Sequence, residues 1–395
     1  MQHLVDLRET ASTLVFWTDE MRAKSPRSLM ECLNDIEDPR RPSNGTRHDV
    51  REMLVVAITA MLADCDTIAE IAEWGQEHEP WLRRFLVLRN GVASADTFER
   101  LFRMLDPKHF EHVFRRWVGD LVPALNGTVA IDGKCVRGSG SADNPPLHMV
   151  SAYATELGLV LGQEKVADKS NEITAIPELL EALALRGLLV SIDAMGCQKT
   201  IAAAIRARGA DYLLAVKANQ PSLSEAIEIA FISAHDRPGV GRHSSVEGSH
   251  GRVVGQVASV LDARGVVDTQ QWPDCRTIGR IDSLRDEGSK EATELQRRYF
   301  ISSRELSAEA LAQAVRAHWG IENGLHWMLD MGFGEDASTV RSDYAPQNLS
   351  LLKKMVLNLI RADTTPGKKC SLAMKRKRAA WNPELRMSIL GITPL

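Results

Sequence analysis

The sequence of 395 residues has no excess of one charge, no long hydrophobic run and no secretory signal. Lys and Arg number 48 against 52 Asp and Glu, and this balance is unlike that of a dedicated nucleic-acid-binding module. The longest apolar run, residues 53–63, is shorter than the roughly 18 residues that a membrane-spanning helix needs. Near the N-terminus, Asp6, Arg8 and Glu9 stand where a secretory signal would be apolar. These absences argue against a membrane protein and a secreted protein. Total charge alone also argues against a DNA-binding protein.

The six cysteines are also too few and too scattered to define a site, at positions 32, 65, 135, 197, 275 and 370. No CxxC pair or other short spacing would close a thiolate metal centre. The scattered cysteines instead favour a reduced, cytoplasmic protein, and the short apolar runs predict no membrane partner. At 44% hydrophobic and 25% charged residues, the composition is that of an ordinary globular protein, and the length predicts two or three domains.

The first feature that is present is helical periodicity. Apolar residues recur at spacings of three and four within residues 54–62, 98–105 and 110–117, as on the buried faces of helices. Ser94 and Asp96 supply capping chemistry before the second of these segments. We predict a helical N-terminal domain over residues 1–120, whose apolar stripes form its core.

After Gly127 the pattern changes to short β-branched and apolar runs, separated by helical segments. The order predicts an α/β core whose mixed sheet begins within residues 121–220. Two predicted strands end in acids, Asp132 and Asp193, and ligand sites collect at the carboxyl ends of parallel strands. The topology therefore predicts a site at these two acids. The predicted strands are 128–131, 148–155, 158–166, 188–192 and 212–216, with helices near 176–183 and 198–208.

The second half of the chain is predicted in three parts. Residues 221–296 alternate weakly and indicate a β-rich insertion, and the core resumes over residues 297–362 with a strand at 298–302 and a helix from Ser307 to Leu329. Residues 363–395 form a predicted basic tail, since the stretch 361–386 holds eight basic residues against two acidic ones. Such a tail is either simply solvated or in contact with phosphates.

Three acids could act together if the late helix crosses the sheet beside the acidic strands: Asp132, Asp193 and Glu322. Gathered carboxylates repel one another unless cations neutralise them, and oxygen ligands suit Mg²⁺. Two ions roughly 3.5–4 Å apart would support an in-line phosphoryl displacement. Two alternatives remain, a zinc site from His318, Glu322 and His326, or a half-exposed polar helix face.

Several motifs occur in order along the chain: Ala130–Lys134 with Arg137–Gly138, Lys169–Ile173, Asp193–Gln198, Lys217–Gln220, His250–Arg252, and His318–Asn323 with Leu325–Trp327. They resemble the motifs of DDE transposases of the ISAs-type (H-repeat-associated) insertion-sequence family. The resemblance runs from about Ser28 to Arg361, although Val315, His318 and Leu329 stand where related transposases place Tyr, Arg and Lys.

The resemblance implies an RNase H-like core with Asp132, Asp193 and Glu322 as catalytic residues and metal ligands. It also implies two Mg²⁺ ions, with Mn²⁺ able to substitute, and DNA cleavage followed by strand transfer. The expected partners are the terminal inverted repeats of the element and target DNA, which a homodimer would bind. The expected location is the bacterial cytoplasm, with the protein associated with the nucleoid when it is bound to DNA.

Seven residues in or near these motifs are candidates for DNA contacts: Lys134, Arg137, Lys217, Asn219, Arg252, His318 and His326. Two other functions remain open at this point. A decayed or domesticated copy would bind DNA ends without cutting them, and a stand-alone RNase H-like nuclease would cut DNA without regard to element ends.

Overall fold

A computed structural model describes residues 29–41, 46–122, 125–142, 144–167, 171–234, 240–249, 252–286, 295–363 and 370–392, without the side chains of 247–249, 252–254 and 285–286. The chain divides into two compact units, one of residues 1–123 with 362–395 and one of residues 124–361. Within the described ranges, no helix is long and apolar enough to cross a bilayer.

The N-terminal part of the first unit is helical, and capping side chains begin several of its helices. The Asp49 carboxylate accepts hydrogen bonds from the backbone N–H groups of Arg51 and Glu52, and Thr67 forms a reciprocal capping box with Glu70. The helices are α1 (Leu29–Leu33), α2 (Val50–Leu62), α3 (Ile68–Glu77), α4 (Glu79–Leu82), α5 (Ala95–Met104) and α6 (Pro107–Leu121). Eleven of the thirteen residues of α2 are buried, which makes it the central helix of this part.

The second unit begins with a five-stranded mixed sheet, in the spatial order β3-β2-β1-β4-β5. β1 pairs antiparallel with β2 and parallel with β4, and β4 is parallel to β5. The predicted order of strands and helices is confirmed, and this part is the RNase H-like core. Its elements are β1 (Thr128–Val136), β2 (Leu147–Ala154), β3 (Leu159–Lys165), α7 (Glu172–Glu181), β4 (Leu189–Ile192), α8 (Lys199–Ala207) and β5 (Asp211–Val216).

The segment predicted as a separate insertion extends this same sheet. β9 pairs antiparallel with β5, and the strands continue as β9-β8-β7-β6, so the full sheet has nine strands in the described residues. The boundary predicted at residue 296 falls inside β9, because the backbone of this strand pairs with β5 and β8 on its two sides. The elements are α9 (Pro221–Ser233), β6 (Gly241–Ser249), β7 (Arg252–Asp262), β8 (Thr277–Asp286) and β9 (Leu295–Ser302).

The helix that carries the third acid packs across this sheet. α10 (Ala308–Ile321) contacts β1, β4 and β7, and its Leu311 and Val315 join a buried cluster with Leu189, Leu213 and Phe300. A π-turn (Glu322–His326), α11 (Trp327–Phe333) and α12 (Ala345–Ala362) follow. The predicted single helix from Ser307 to Leu329 is therefore interrupted at Glu322.

The C-terminal segment predicted as a basic tail folds instead into α13 (Leu372–Trp381) and α14 (Pro383–Leu390) within the first unit. Both helices contact α2. Two of the basic residues are buried: Arg376 pairs with Asp64 and Asp66, and Arg386 lies over two tryptophan rings. These two arginines are part of the unit's core, so the prediction of a solvated or phosphate-binding tail is wrong for them.

Candidate active site

The register of two parallel strands brings the first two acids together. Ile131 of β1 aligns with Ile192 of β4, so Asp132 and Asp193 follow side by side where the parallel pairing ends. The sequence predicted a strand that ends at Asp132. β1 in fact continues to Val136, because residues 132–136 pair with β2. Asp132 therefore stands at the end of a parallel ladder and not at the end of its strand.

The pleat of the strands turns both acids toward the face covered by α10. Side chains alternate along a strand, so Asp193 points to the same face as Ser191, and Asp132 to the same face as Ala130, which aligns with Ser191. On that face, Ser191 Oγ lies 3.1 Å from Nδ1 of His318 in α10. The two acids therefore face the helix whose end carries Glu322.

Glu322 begins the π-turn, in which the N–H of Trp327 donates to the Glu322 carbonyl. Residues of β2 and α12 contact the turn and stabilise it. Arg361 donates to the carbonyl of Gly324, and its guanidinium lies 5.4 Å from the ring centre of Tyr153. A Cβ at Gly324 would lie 2.3 Å from the Tyr153 hydroxyl, so the close approach requires glycine. π-turns are frequent at functional sites, and this one sets the direction of Glu322.

The three acids line a single cavity of about 220 Å³. The Asp132 side chain is 17% exposed, whereas the Glu322 side chain is 53% exposed and reaches the opening. Two cations, Lys217 and Arg298, share the lining with the acids. The remaining lining residues are Ser191, Ile192, Ala194, Leu213, Ala215, Phe300, Val315, His318 and Trp319.

Like charges surround Asp132. Burial, together with the carboxylates of Glu322, Glu172 and Asp193, raises the pKa of Asp132 to about 7. A hydrogen bond from the N–H of Gly133 opposes this shift only in part. The cluster therefore carries negative charge that a bound cation would neutralise.

The donor set fits a divalent cation. Ligand atoms of Asp132, Glu322 and His326 lie within 4.8 Å of one another, close enough to converge on one ion after small movements. Asp193 lines the same cavity, and its Oδ1 accepts hydrogen bonds from the N–H groups of Met195 and Gly196, which orient the carboxylate. The described residues thus offer three carboxylates and one imidazole at this position.

The zinc set of His318, Glu322 and His326 does not assemble. The convergent group contains Asp132 in place of His318, whose Nδ1 instead contacts Ser191. Burial lowers the pKa of His318, partly offset by the charges of Asp193 and Glu322. A neutral imidazole is a weaker phosphate contact than the arginine that related transposases have at this position.

Lys134 lies among acids and not at the cavity. Its ammonium is 2.7 Å from Asp330, 3.2 Å from Glu335 and 2.8 Å from Asp336, and its side chain is only 11% exposed. Burial would lower the pKa of Lys134, but these carboxylates hold it above its usual range. The position of Lys134 lends no support to a DNA contact, because three protein carboxylates already occupy the ammonium.

The other predicted DNA contacts differ in their surroundings. Lys217 is exposed at the cavity, and Arg137 is 83% exposed beside Asp336. The Asn219 amide donates to the carbonyl of Ala194 and so braces the loop after Asp193. The side chain of Arg252 lies outside the described part of the chain. These positions leave the DNA contacts as predictions.

His326 differs from the other predicted DNA contacts, because its side chain is only 9% exposed and its Nδ1 faces Asp132 and Glu322. The burial of this ring lends no support to the predicted DNA contact of His326. Burial lowers the pKa of His326, the carboxylate of Glu322 opposes this, and the ammonium groups of Lys354 and Lys134 lower it further. These influences favour the neutral ring.

Three nearby features have no clear signal in the sequence. Arg298 begins a predicted strand and Trp319 lies within the motif around Glu322, but neither residue type signals a position in the cavity. Arg298 stacks on Trp319 with its guanidinium 5.7 Å from the ring centre. The third feature is a 2.8 Å contact between His148 and Glu172, which no spacing predicts because 24 residues separate them.

Comparison with known proteins defines the class. Residues 124–359 match the family described as "Transposase DDE domain", and residues 30–118 match the family described as "DDE_Tnp_1-associated". "Putative transposase YncI" of Escherichia coli O157:H7 is 38% identical over 367 residues, covering 91% of this chain and 93% of the relative. "H repeat-associated putative transposase YhhI" of Escherichia coli K12 is 34% identical over 373 residues, covering 92% and 98%.

Among solved structures, a piggyBac transposase synaptic complex with hairpin DNA aligns with a TM-score of 0.42 and 11% identity, covering 95% of this chain and 79% of that one. At this TM-score the alignment supports no argument about function. The sequence matches, however, define an enzyme of the transposase class with a DDE domain. The chain belongs to the H-repeat-associated family of DDE transposases, which confirms the resemblance of its motifs.

Proposed function

We propose that this transposase cuts DNA at the ends of its own insertion element and joins the freed ends to target DNA, with Mg²⁺ held by Asp132, Asp193 and Glu322. The observation that carries the proposal is the side-by-side register of the two aspartates in a cavity that Glu322 also lines. Hard oxygen ligands suit Mg²⁺, with Mn²⁺ as a substitute, and these three carboxylates would hold the ions.

When bound, the two ions would activate the attacking oxygen and stabilise the leaving oxygen of an in-line displacement at phosphorus. The part of the protein is to hold its carboxylates in place. The N–H of Gly133 orients Asp132, the N–H groups of Met195 and Gly196 orient Asp193, and the π-turn directs Glu322. Fixed ligands reduce the reorganisation that each reaction step requires.

DNA would enter along the cationic side of the cavity. Lys217 and Arg298 supply positive charge for the phosphate backbone, and Trp319 is 49% exposed and offers an aromatic face for a base. Arg137, Asn219, Arg252 and His318 remain candidate contacts. Since the two ends of an element are processed together, we propose a homodimer on DNA that holds both inverted repeats.

The test uses the purified full chain and a DNA duplex that carries the inverted repeats of its own element. We expect end-specific nicks in Mg²⁺, none in EDTA, and none with Asp132→Asn in Mg²⁺, although this variant should still bind the ends. Asp268→Asn is the matched control, because Asp268 is an exposed acid in the same unit outside the cavity. It should cut like the wild type.

Three results would contradict the proposal, each in its own way. Binding of the ends without cleavage would identify a decayed or domesticated end-binding protein. Cleavage without regard to end sequence would identify a nuclease on the same fold. Normal cleavage by Asp132→Asn would refute the assignment of the site.

A further inference from the structure

His326 has no role in the proposed three-acid site, yet it is more deeply buried than any of the three acids. It lies four residues after Glu322 at the end of the π-turn. Its Nδ1 is 3.4 Å from Glu322 Oε2 and 3.7 Å from Asp132 Oδ2. One ring nitrogen therefore faces two of the three predicted metal ligands.

The contact with Glu322 is a long hydrogen bond, and both separations also fit atoms that share an ion. Two ligand atoms, each about 2.1 Å from one cation and at angles from 90° to 180°, lie roughly 3.0–4.2 Å apart. Both distances from His326 Nδ1 fall in this interval, and the whole set of three ligand atoms lies within 4.8 Å. Asp193 is not a member of this set, although it lines the same cavity.

The contacts of the ring separate its two nitrogens. Both contacts with the acids are made by Nδ1. The second ring nitrogen, Nε2, is buried and has no hydrogen-bond partner among the described residues. A DNA phosphate could not reach a side chain that is 9% exposed, whereas an ion held by Asp132 and Glu322 would lie beside it.

We propose that His326 is a nitrogen ligand of the ion that Asp132 and Glu322 hold, so that one of the two metal positions is a mixed carboxylate–imidazole site. The inference rests on the proposed function, since it takes Asp132 and Glu322 as metal ligands. Mg²⁺ keeps to oxygen ligands, whereas the transition ion Mn²⁺ also accepts imidazole. The affinity of this site for Mn²⁺ relative to Mg²⁺ should therefore depend on His326.

Pulsed electron paramagnetic resonance of Mn²⁺ bound to the full chain tests this without reference to DNA cleavage. We expect the wild type to show a coupling from a directly bound ¹⁴N, which changes to a ¹⁵N coupling when histidine is ¹⁵N-labelled. His326→Gln should lose the coupling and bind Mn²⁺ about tenfold more weakly or worse, with a smaller effect on Mg²⁺. His318→Gln, which removes the histidine that lines the cavity, should keep the coupling.

The outcomes separate the inference from the proposed function. Mn²⁺ that binds with a dependence on Asp132 but without a histidine coupling would overturn the role of His326 and leave the carboxylate site intact. A coupling that disappears in His318→Gln and persists in His326→Gln would show that His318 is the nitrogen ligand, and this would overturn our proposal. Absence of Mn²⁺ binding would overturn both. If His326→Gln does not fold, the ¹⁵N-labelled chain with His318→Gln still tests the proposal, because loss of the histidine coupling in that chain would overturn the role of His326.

Discussion

At the scale of single residues, burial separates the cations that serve the fold from those that can meet DNA. Lys134 lies in β1 and Lys217 directly follows β5, and the sequence alone does not distinguish the two lysines. The structure places Lys134 among three carboxylates at 11% exposure, whereas Lys217 is exposed at the cavity. A buried ammonium that neutralises several acids stabilises the native state, and its removal leaves their charges unpaired.

Lys134→Met should therefore destabilise the protein even when no DNA is present. We expect the free energy of unfolding to fall by about 3 kcal/mol, the lower end for a broken buried pair, because Asp330 and Asp336 are partly exposed. Arg137→Met is the control, since Arg137 meets the same Asp336 from an 83% exposed position. Urea denaturation of both variants measures the difference. Equal stability of the two would mean that the ion pairs of Lys134 contribute little.

At the scale of secondary structure, the elements were largely predictable and their interruptions were not. The β-branched run at 128–131 predicts β1, but its extension to Val136 depends on pairing with β2, which local sequence does not contain. The side-by-side position of Asp132 and Asp193 is indicated by the two apolar runs that each precede one of these acids, although Asp132 does not end its strand. The register was thus foreseeable in outline.

The π-turn is the part of the site that the sequence could not reveal. His318, Glu322, His326 and Asp330 recur every four residues, which predicts one continuous helical face. The structure divides them: His326 joins Asp132, and Asp330 joins Lys134. Tyr153 and Arg361, which are distant from the turn in sequence, contact Gly324 within it and so hold the turn in place. Periodicity does not record contacts of this kind.

Gly324→Ala tests the importance of the π-turn. Its new methyl group would lie 2.3 Å from the Tyr153 hydroxyl, so either the Tyr153 side chain or the turn must move. We expect stability to fall by about 1–3 kcal/mol and the rate of end cleavage to fall markedly, because Glu322 shifts with the turn. Chemical denaturation and a cleavage assay on the same preparation measure both effects.

Gly320→Ala is the matched control, one turn earlier in α10. The nearest atoms to its added Cβ, in Thr155, are 3.9 Å away, an ordinary van der Waals distance. Alanine in a helix interior is favoured over glycine by roughly 0.5–1 kcal/mol, so this variant should be as stable as the wild type or slightly more so. If Gly324→Ala behaved in the same way, the close approach to Tyr153 would not fix the turn.

At the scale of the whole molecule, the C-terminal helices complete the unit that the N-terminal helices begin. The guanidinium of Arg376 is fully buried and donates to the carbonyl of Met61 in the last turn of α2. It also pairs with Asp64 and Asp66 in the loop that follows. Carbonyls at the end of a helix have no partner within the helix, and Arg376 supplies one from the other end of the chain.

Arg376→Met should therefore destabilise the N-terminal helical part, about 310 positions away in sequence. Removal of a buried, multiply bonded arginine costs about 3–5 kcal/mol. Arg378→Met, an exposed neighbour on the same helix, should change stability by less than about 0.5 kcal/mol. Hydrogen exchange of the amides in α2 is the sharpest readout. Unchanged protection of α2 in Arg376→Met would show that the C-terminal helices are not part of its support.

The near-neutral total charge hides an uneven distribution, and salt dependence of DNA binding can reveal it. Arginines 376 and 386 are withdrawn into the fold, so affinity for phosphates must come from exposed cations such as Lys217. A lysine that binds one phosphate contributes about 1 to the slope of log affinity against log salt. Lys217→Ala should therefore lower this slope in fluorescence anisotropy with the element ends, measured without divalent ions so that no cleavage occurs.

Arg208→Ala removes the same charge at the C-terminal end of α8. This helix connects the parallel strands β4 and β5, so its C-terminal end lies toward the start of β5, away from the acids. Because Arg208 is exposed there and does not line the cavity, its removal should leave the salt dependence unchanged. Equal slopes for the two variants would place the DNA elsewhere on the protein. A reduced slope for Lys217→Ala alone would identify the cationic wall of the cavity as the path of the DNA, where position and not total charge determines binding.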